Sequence, residues 1–226
     1  MRLLLVAATP PELAPSLDWL RSRAERSERN VLTFARSEVE VLFTGVGILA
    51  TAYVLGQRLA TAALPQLAVQ AGIAGAYHRD GLPLGSVIRV SSEVLADLGA
   101  EDANGQLLTP RDIGFPPGPP YDDQGVLRPA AEAPLPFPAV AGATVHRCTG
   151  TEATRRSRLA SFPDIQVESM EGAAFFHACM LAGVSALQLR GISNYAGERR
   201  REEWQIDLAV HNVNAALQQV LLPFVR

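Results

Sequence analysis

Five times in this chain a short apolar run stops at a cluster of small or turn-forming residues, and this repeated punctuation limits the fold more than any other feature. Residues 3–8 (LLLVAA) stop at Thr9-Pro10-Pro11, 39–43 (VEVLF) at Thr44-Gly45-Val46-Gly47, and 66–70 at Ala71-Gly72-Ile73-Ala74-Gly75. A fourth run stops near Glu168, and 186–192 stops at Ser193-Asn194. Apolar runs of this length, bounded by turn residues, read as buried strands. Helical spacing follows most of them. It covers 13–23 after the first run, Leu49, Ala52, Tyr53, Leu55 and Leu59 after the second, and 170–181, stopped by Gly183, after the fourth. A last helix over 207–222 ends before Pro223 and places Leu208, Val210, Val213, Leu217, Val220 and Leu221 on its buried side. The third run is followed instead by Gly81 and a strand at 86–91.

Strands that alternate with helices pair in parallel. The predicted fold is therefore α/β, a three-layer sandwich around a mixed, mostly parallel sheet, in a single domain over 1–226. Ligands in such folds bind beyond the carboxyl ends of the strands. That rule gathers Glu12, Gly45, Gly47, Gly72, Gly75, Met170, Glu171, Ser193 and Asn194 around one crevice. The stretch 99–138 breaks the pattern. It is crowded with Pro, Gly and Asp, and reads as a long irregular loop, a candidate lid, with order resuming at Thr144.

Composition excludes several classes. All 20 basic residues are arginine, which removes Schiff-base chemistry and a lysine-dependent phosphate loop. A formal net charge of -3 gives no footprint for nucleic acid. Cys148 and Cys179 lack metal spacing and read as buried, inert thiols, and His78, His146, His177 and His211 show no metal pattern either. His177, on the helix after Glu171, reads as packing or interface. Arg155, Arg156 and Arg158 read as a solvated charge run. The opening run is too short for a signal peptide or a membrane span, so the expectation is a cytoplasmic protein with no membrane partner.

Gly45-Val46-Gly47-Ile48-Leu49-Ala50 fits the GxGxxA dinucleotide pattern, yet the acidic residue that would grip a ribose about 20 residues on is missing. A tight strand-to-helix turn, or amides facing some other ligand, fits the segment better.

The segments Val167-Glu168-Ser169-Met170-Glu171-Gly172-Ala173-Ala174 and Arg190-Gly191-Ile192-Ser193-Asn194 carry a resemblance. They are similar to the purine nucleoside phosphorylase and methylthioadenosine/adenosylhomocysteine nucleosidase superfamily, and the wording ESMEGAAFF and ISNY most resembles its futalosine hydrolase branch. TGVG, AGIAG, SSEVLADLG and TGTEAT fall in family order too, while the proline-rich loop has no match.

The resemblance implies hydrolysis of a purine nucleoside through an oxocarbenium-like transition state. It casts Glu12 as the carboxylate that activates water, although a first-turn carboxylate on a helix is the plainer reading of that residue alone. Glu171 is implied as the acceptor for the ribose hydroxyls and Met170 as the apolar face against the sugar, with Gly47, Ile73, Gly75, Arg190 and Ser193 completing substrate binding. Adenine-specific relatives carry an aspartic acid where this sequence has Asn194. An amide there both donates and accepts, which suits a 6-oxopurine, so hypoxanthine is the expected leaving base. Arg111 or the cluster Arg199-Arg200-Arg201 is expected to meet a substrate carboxylate. The implied partners are a purine nucleoside and water, without cofactor or metal, in a homo-oligomer. A phosphorylase that uses Arg89, a methylthioadenosine/adenosylhomocysteine nucleosidase, and a non-catalytic nucleoside binder remain the alternatives.

Overall fold

Side chains on β1 (Arg2–Ala7) alternate between two buried layers: Leu3, Leu5 and Ala7 pack to one side, Leu4 and Val6 to the other. A strand with both faces covered belongs in the middle of an α/β sheet, and β1 sits there. The computed structural model describes residues 1–130 and 135–225. Its remaining strands are β2 (Arg26–Glu28), β3 (Val31–Phe34), β4 (Ser37–Phe43), β5 (Leu67–Ala76), β6 (Val87–Leu95), β7 (Ala100–Glu101), β8 (Leu107–Leu108), β9 (Ala139–Thr144), β10 (Val167–Ser169) and β11 (Ser185–Tyr195). Nine of the eleven strands form one sheet in the order β10-β9-β6-β11-β5-β1-β4-β3-β2, while β7 and β8 pair with each other.

The pairs β1–β4, β1–β5, β5–β11, β6–β9 and β9–β10 are parallel. The expected mixed, mostly parallel sheet is present, with one addition. β10 also pairs antiparallel with the end of β5, Glu168 opposite Gly75, so β5, β11, β6, β9 and β10 close into a ring. That closure draws the Glu168 segment against the exits of β5 and β11, where the crevice opens.

The helices are α1 (Ala14–Arg21), α2 (Ile48–Thr61), α3 (Glu152–Ser161), α4 (Gly172–Leu181) and α5 (Ile206–Leu221). Leu13, Leu17 and Leu20 around α1 join Val213, Leu217 and Leu221 of α5 in one core layer, and Leu55 and Leu59 of α2 join Phe175, Phe176 and Cys179 of α4 in the other. Each such side chain contributes about 1.5–3 kcal/mol by leaving water. Asn214 of α5 is a buried exception with full hydrogen bonding. Its Oδ1 accepts the Ser16 N–H at 3.1 Å and its Nδ2 donates to Glu12 O at 2.8 Å, which docks the head of α1.

Several local expectations change. α2 buries Thr51, Leu55 and Leu59, whereas Leu49 and Tyr53 share the helical spacing but are 81% and 68% exposed. Leu208 is exposed on α5. The arginine run at 155–158 lies on α3, and Arg158 is buried because it pairs with Glu168 at 3.1 Å. Cys148 is exposed. Order resumes before Thr144, since β9 ends there.

The irregular stretch holds the β7–β8 hairpin, and its residues 131–134 lie outside the described set. The rest of it leans on β6 through a Glu93–Leu127 bridge and on α4 through Tyr121, whose ring centroid is 5.4 Å from that of His177. Among the described residues no helix is long and apolar enough to cross a membrane.

Candidate active site

The exits of β1, β5, β10 and β11 and the strand-to-helix turn before α2 enclose a cavity of about 400 Å3. Glu12, Ile73, Gly75, Met170, Glu171, Ser193 and Asn194 all line it, although they come from four separate parts of the chain. No described residue of 99–138 does, so the lid expected of that loop is not among the walls.

Glu12 ends a single 3-10 turn over Pro10–Glu12, which the two prolines start by fixing φ. Its Oε2 accepts the Thr9 N–H at 2.8 Å and faces the Thr9 hydroxyl at 3.0 Å. The carboxylate thus does cap its own turn, as the plainer sequence reading has it. One oxygen suffices for that. The other, Oε1, reaches over β5 to within 2.7 Å of where a side chain on Gly72 would begin.

Glu171 occupies the N-cap position of α4 without bonding the helix through its side chain, and it is buried. Its Oε1 accepts the Gly47 N–H at 2.9 Å and its Oε2 stands 3.8 Å from Arg190 Nη1. Gly47 has φ of 96°, a left-handed conformation that favours glycine. The turn that resembled a dinucleotide site therefore presents its amide to a carboxylate of the chain itself. Gly47 and Arg190 stand one contact behind the cavity, since neither lines it.

Arg190, 2% exposed, donates from Nε to Gln188 Oε1 at 3.1 Å and from Nη2 to Gln70 Oε1 at 2.8 Å. With the fork pinned by two glutamines, its third nitrogen is aimed at Glu171.

Asn194 follows a β-bulge. The register of β11 against β5 slips between Ile192 and Asn194, so Ser193 is the extra residue. The pleat would send neighbouring side chains to opposite faces, and the bulge lets Ser193 and Asn194 both face the cavity. Ser193 Oγ lies 2.8 Å from Asn194 Oδ1, which occupies the amide's acceptor and leaves Nδ2 with one long contact, Tyr195 O at 3.4 Å.

Glu168 also lines the cavity and is saturated with donors: Tyr77 Oη at 2.7 Å, Thr149 N at 2.8 Å, Thr149 Oγ1 at 2.5 Å and Arg158 Nη1 at 3.1 Å. It braces the Cys148–Thr149 wall. Burial raises the Tyr77 hydroxyl pKa, and the charge of Glu168 raises it further, so the phenol stays a donor. Cys148, exposed as a residue, sits in the cavity wall, and partial desolvation there, seconded by the charge of Glu168, raises its thiol pKa.

Of the arginines expected to meet a substrate carboxylate, Arg199 lines the cavity and lies 5.0 Å over the Trp204 ring, with no acidic partner within 4.0 Å among the described residues. Arg200 pairs with Glu198 and Glu203, and Arg111 is occupied within its loop by Asp123 O and Gln124. Arg89 is opposite Leu189 in the β6–β11 ladder, five residues and roughly 16 Å of strand from Asn194. It does not line the cavity. No group of three or more His, Cys, Asp or Glu able to hold a metal occurs among the described residues.

Sequence reading missed the supports: Thr9, Gln70, Gln188, Thr149, Glu168, Arg158 and Trp204. Gln70 and Gln188 left a legible sign, as polar residues inside otherwise apolar strands.

The family model of the phosphorylase superfamily matches residues 2–226. A futalosine hydrolase of Streptomyces coelicolor is 37% identical over 152 residues, 64% of this chain, and the match spans 60% of that protein's length. A futalosine hydrolase of Thermus thermophilus is 31% identical over 188 residues, 80% of each chain. The native structure of the Helicobacter pylori futalosine hydrolase superposes with a TM-score of 0.79 at 15% identity, covering 99% of this chain and 98% of that one, a likeness of fold. The chain belongs to the phosphorylase superfamily, in the family that contains these futalosine hydrolases.

Proposed function

We propose that this chain hydrolyses the N-glycosidic bond of futalosine, releasing hypoxanthine and dehypoxanthine futalosine in menaquinone biosynthesis. The observation that carries the reading is the meeting of Glu12, Glu171 and Asn194 in one cavity of nucleoside size, in a chain whose relatives are futalosine hydrolases. Glu12 has one oxygen held by Thr9 and one free, so it can take a proton from water without losing its place. Glu171, oriented by the Gly47 amide and Arg190, accepts from the ribose hydroxyls and places negative charge beside the ring as it becomes cationic. Met170 and Ile73 supply apolar contact to the sugar, and Gly75 leaves room above β5 for the Asn194 amide, whose Nδ2 would lie 3.0 Å from a side chain there. Asn194, its acceptor taken by Ser193, donates from Nδ2 to N7 or O6 of the departing base. Arg199 binds the carboxylate on the 5′ side. Water is the only co-reactant, and the reaction calls for no redox or metal partner.

The phosphorylase alternative assigns phosphate to Arg89, which does not line the cavity. Incubation with futalosine in phosphate-free buffer is expected to release hypoxanthine, read by chromatography. Turnover only after phosphate is added overturns the hydrolase. Glu12→Gln and Glu171→Gln are each expected to lower kcat/KM by about 100-fold or more while ligand binding persists.

We also read residues 1–226 as one domain acting in a homo-oligomer. The support for the latter is an apolar stripe on α2 and its turn, Val46, Leu49 and Tyr53, with Val46 58% exposed. Leu49→Asp is expected to give the monomer mass in light scattering, and an unchanged assembly overturns that contact.

A further inference from the structure

One carboxyl in the interior has no part in the reaction above. Glu93 on β6 is 1% exposed and does not line the cavity. A buried carboxyl without a paired cation in direct contact is costly to the fold, by several kcal/mol if left unsatisfied. What holds it there is Thr144 at the end of β9, which also meets the head of α4. Glu93 Oε2 accepts the Thr144 hydroxyl at 2.9 Å, and the same Thr144 oxygen accepts the Ala173 N–H at 2.7 Å, in the first turn of α4. Glu93 Oε1 fills the space a side chain on Gly172 would need: a Cβ there would fall 1.9 Å from it. Gly172 is therefore glycine for the sake of Glu93, and it is the residue next to Glu171.

A second arm passes Gln188, whose Oε1 lies beside Glu93 Oε1 at Gly172 and accepts from Arg190 Nε, while its Nε2 has no hydrogen-bond partner among the described residues. Arg190 leads back to Glu171 Oε2. Residue 171 is thus gripped twice, at its backbone through Thr144 and α4 and at its carboxylate through Arg190; Glu93 bonds to the first grip and packs beside Gln188 at the root of the second.

We propose that Glu93 is a positioning residue for the ribose carboxylate, fixing the head of α4 and the Arg190 fork and deciding whether Glu171 has that cation to itself. This rests on Glu171 being the ribose carboxylate. Arg190 stands 3.8 Å from Glu171 and acts on Glu93 by its charge alone, without an ion pair between them. When Glu93 holds its proton, Arg190 serves Glu171 alone; when Glu93 ionises, the cation's charge is divided between two mutually repelling carboxylates and its hold on Glu171 weakens. Burial pushes the Glu93 carboxyl up to about 7 against the pull of Arg190, Thr144 and Gln188, with the charge of Glu171 pushing the same way as burial. The charged groups acting on it are Arg190 from β11 and Glu171 from the head of α4. β9 brings only the Thr144 hydroxyl and Gly142, and the link to Leu127 is backbone.

The test is the pH profile of kcat and KM for futalosine between pH 5.5 and 9, for the parent, Glu93→Gln, Glu93→Leu and Glu171→Gln. The parent is expected to show KM rising about tenfold above pH 7 as the sugar carboxylate is displaced. Glu93→Gln, a permanently neutral isostere, is expected to match the parent at low pH and to lose the rise. Glu93→Leu is expected to raise KM at every pH. A Glu93→Gln profile superimposable on the parent's, with Glu171→Gln inactive, overturns the role of Glu93 and leaves the ribose reading standing, whether or not Glu93→Leu folds. Full turnover by Glu171→Gln overturns both.

Discussion

Replacing Gly72 by alanine places one methyl group between the two halves of the chemistry. Gly72 pairs with Arg190 across the β5–β11 ladder, and a Cβ built on it would lie 2.7 Å from both Arg190 Nη1 and Glu12 Oε1. Its backbone has no left-handed torsion, so alanine meets no conformational penalty there. Ordinary contact begins near 3.4 Å, so each charged tip must retreat by about 0.7 Å. Neither can do so freely. Glu12 would turn about an oxygen held by Thr9, and Arg190 would strain its bonds to Gln70 and Gln188. A misplacement near 1 Å costs about 100-fold in rate, equivalent to roughly 2.7 kcal/mol of lost transition-state stabilisation.

The displaced atoms are ends of flexible side chains, so the fold should suffer less than the chemistry. Overpacking of about 1–2 kcal/mol corresponds to a fall in Tm of roughly 2–8 °C at this length. The assay is hypoxanthine release for kcat/KM beside a thermal melt. A Gly72→Ala protein within threefold of the parent in kcat/KM refutes the claim that Glu12 and Arg190 converge on this spot with no slack. A collapse in Tm with proportional loss of activity refutes the separation of site from scaffold.

Three other outcomes follow from the same geometry. Asn194→Asp is expected to gain on 6-amino nucleosides relative to 6-oxo ones, compared by base release across futalosine, inosine, methylthioadenosine and adenosylhomocysteine; an unmoved ratio removes the amide as the selector of the base. Arg199→Ala is expected to raise KM for futalosine about tenfold while leaving inosine, which lacks the carboxylate, unchanged. Glu93 should tilt stability with pH: its folded pKa of about 7 lies above the ordinary value of 4.5, so the folded state holds the proton more tightly. That contribution is complete below pH 4.5 and is lost as pH rises through 7, about 3 kcal/mol in all. Denaturant melts at pH 5, 6, 7 and 8 should show Glu93→Gln gaining on the parent as pH rises, and parallel curves would contradict it.

The crevice was legible because its residues sit where strands stop, and the stops are written in glycine, proline and serine. The supports were not, because their meaning depends on partners far along the chain. Arg158 looks like one of three solvated arginines until Glu168 is placed 3.1 Å away. Leu49 and Tyr53 keep the spacing of a buried helical face, and periodicity cannot say that the sheet reaches only Leu55 and Leu59. The β2–β3 hairpin was invisible for the opposite reason, since β2 is wholly exposed and carries no apolar alternation. Ring closure by β10 rests on three residues, too few for any pattern. Glu93 did leave a mark, a lone carboxylate inside VSSEVLA, where a strand turned inward should be apolar.

The additional residue in β11 has a consequence for how this site can change. Because two adjacent side chains reach the base only while the ladder skips a partner, what holds them there is a count of residues. Substitutions at 193 or 194 alter the chemistry of recognition and keep its address, whereas shortening the strand by one hands a side chain to the far side of the sheet. Variation in base preference within this architecture is therefore open to changes of letter and closed to changes of length.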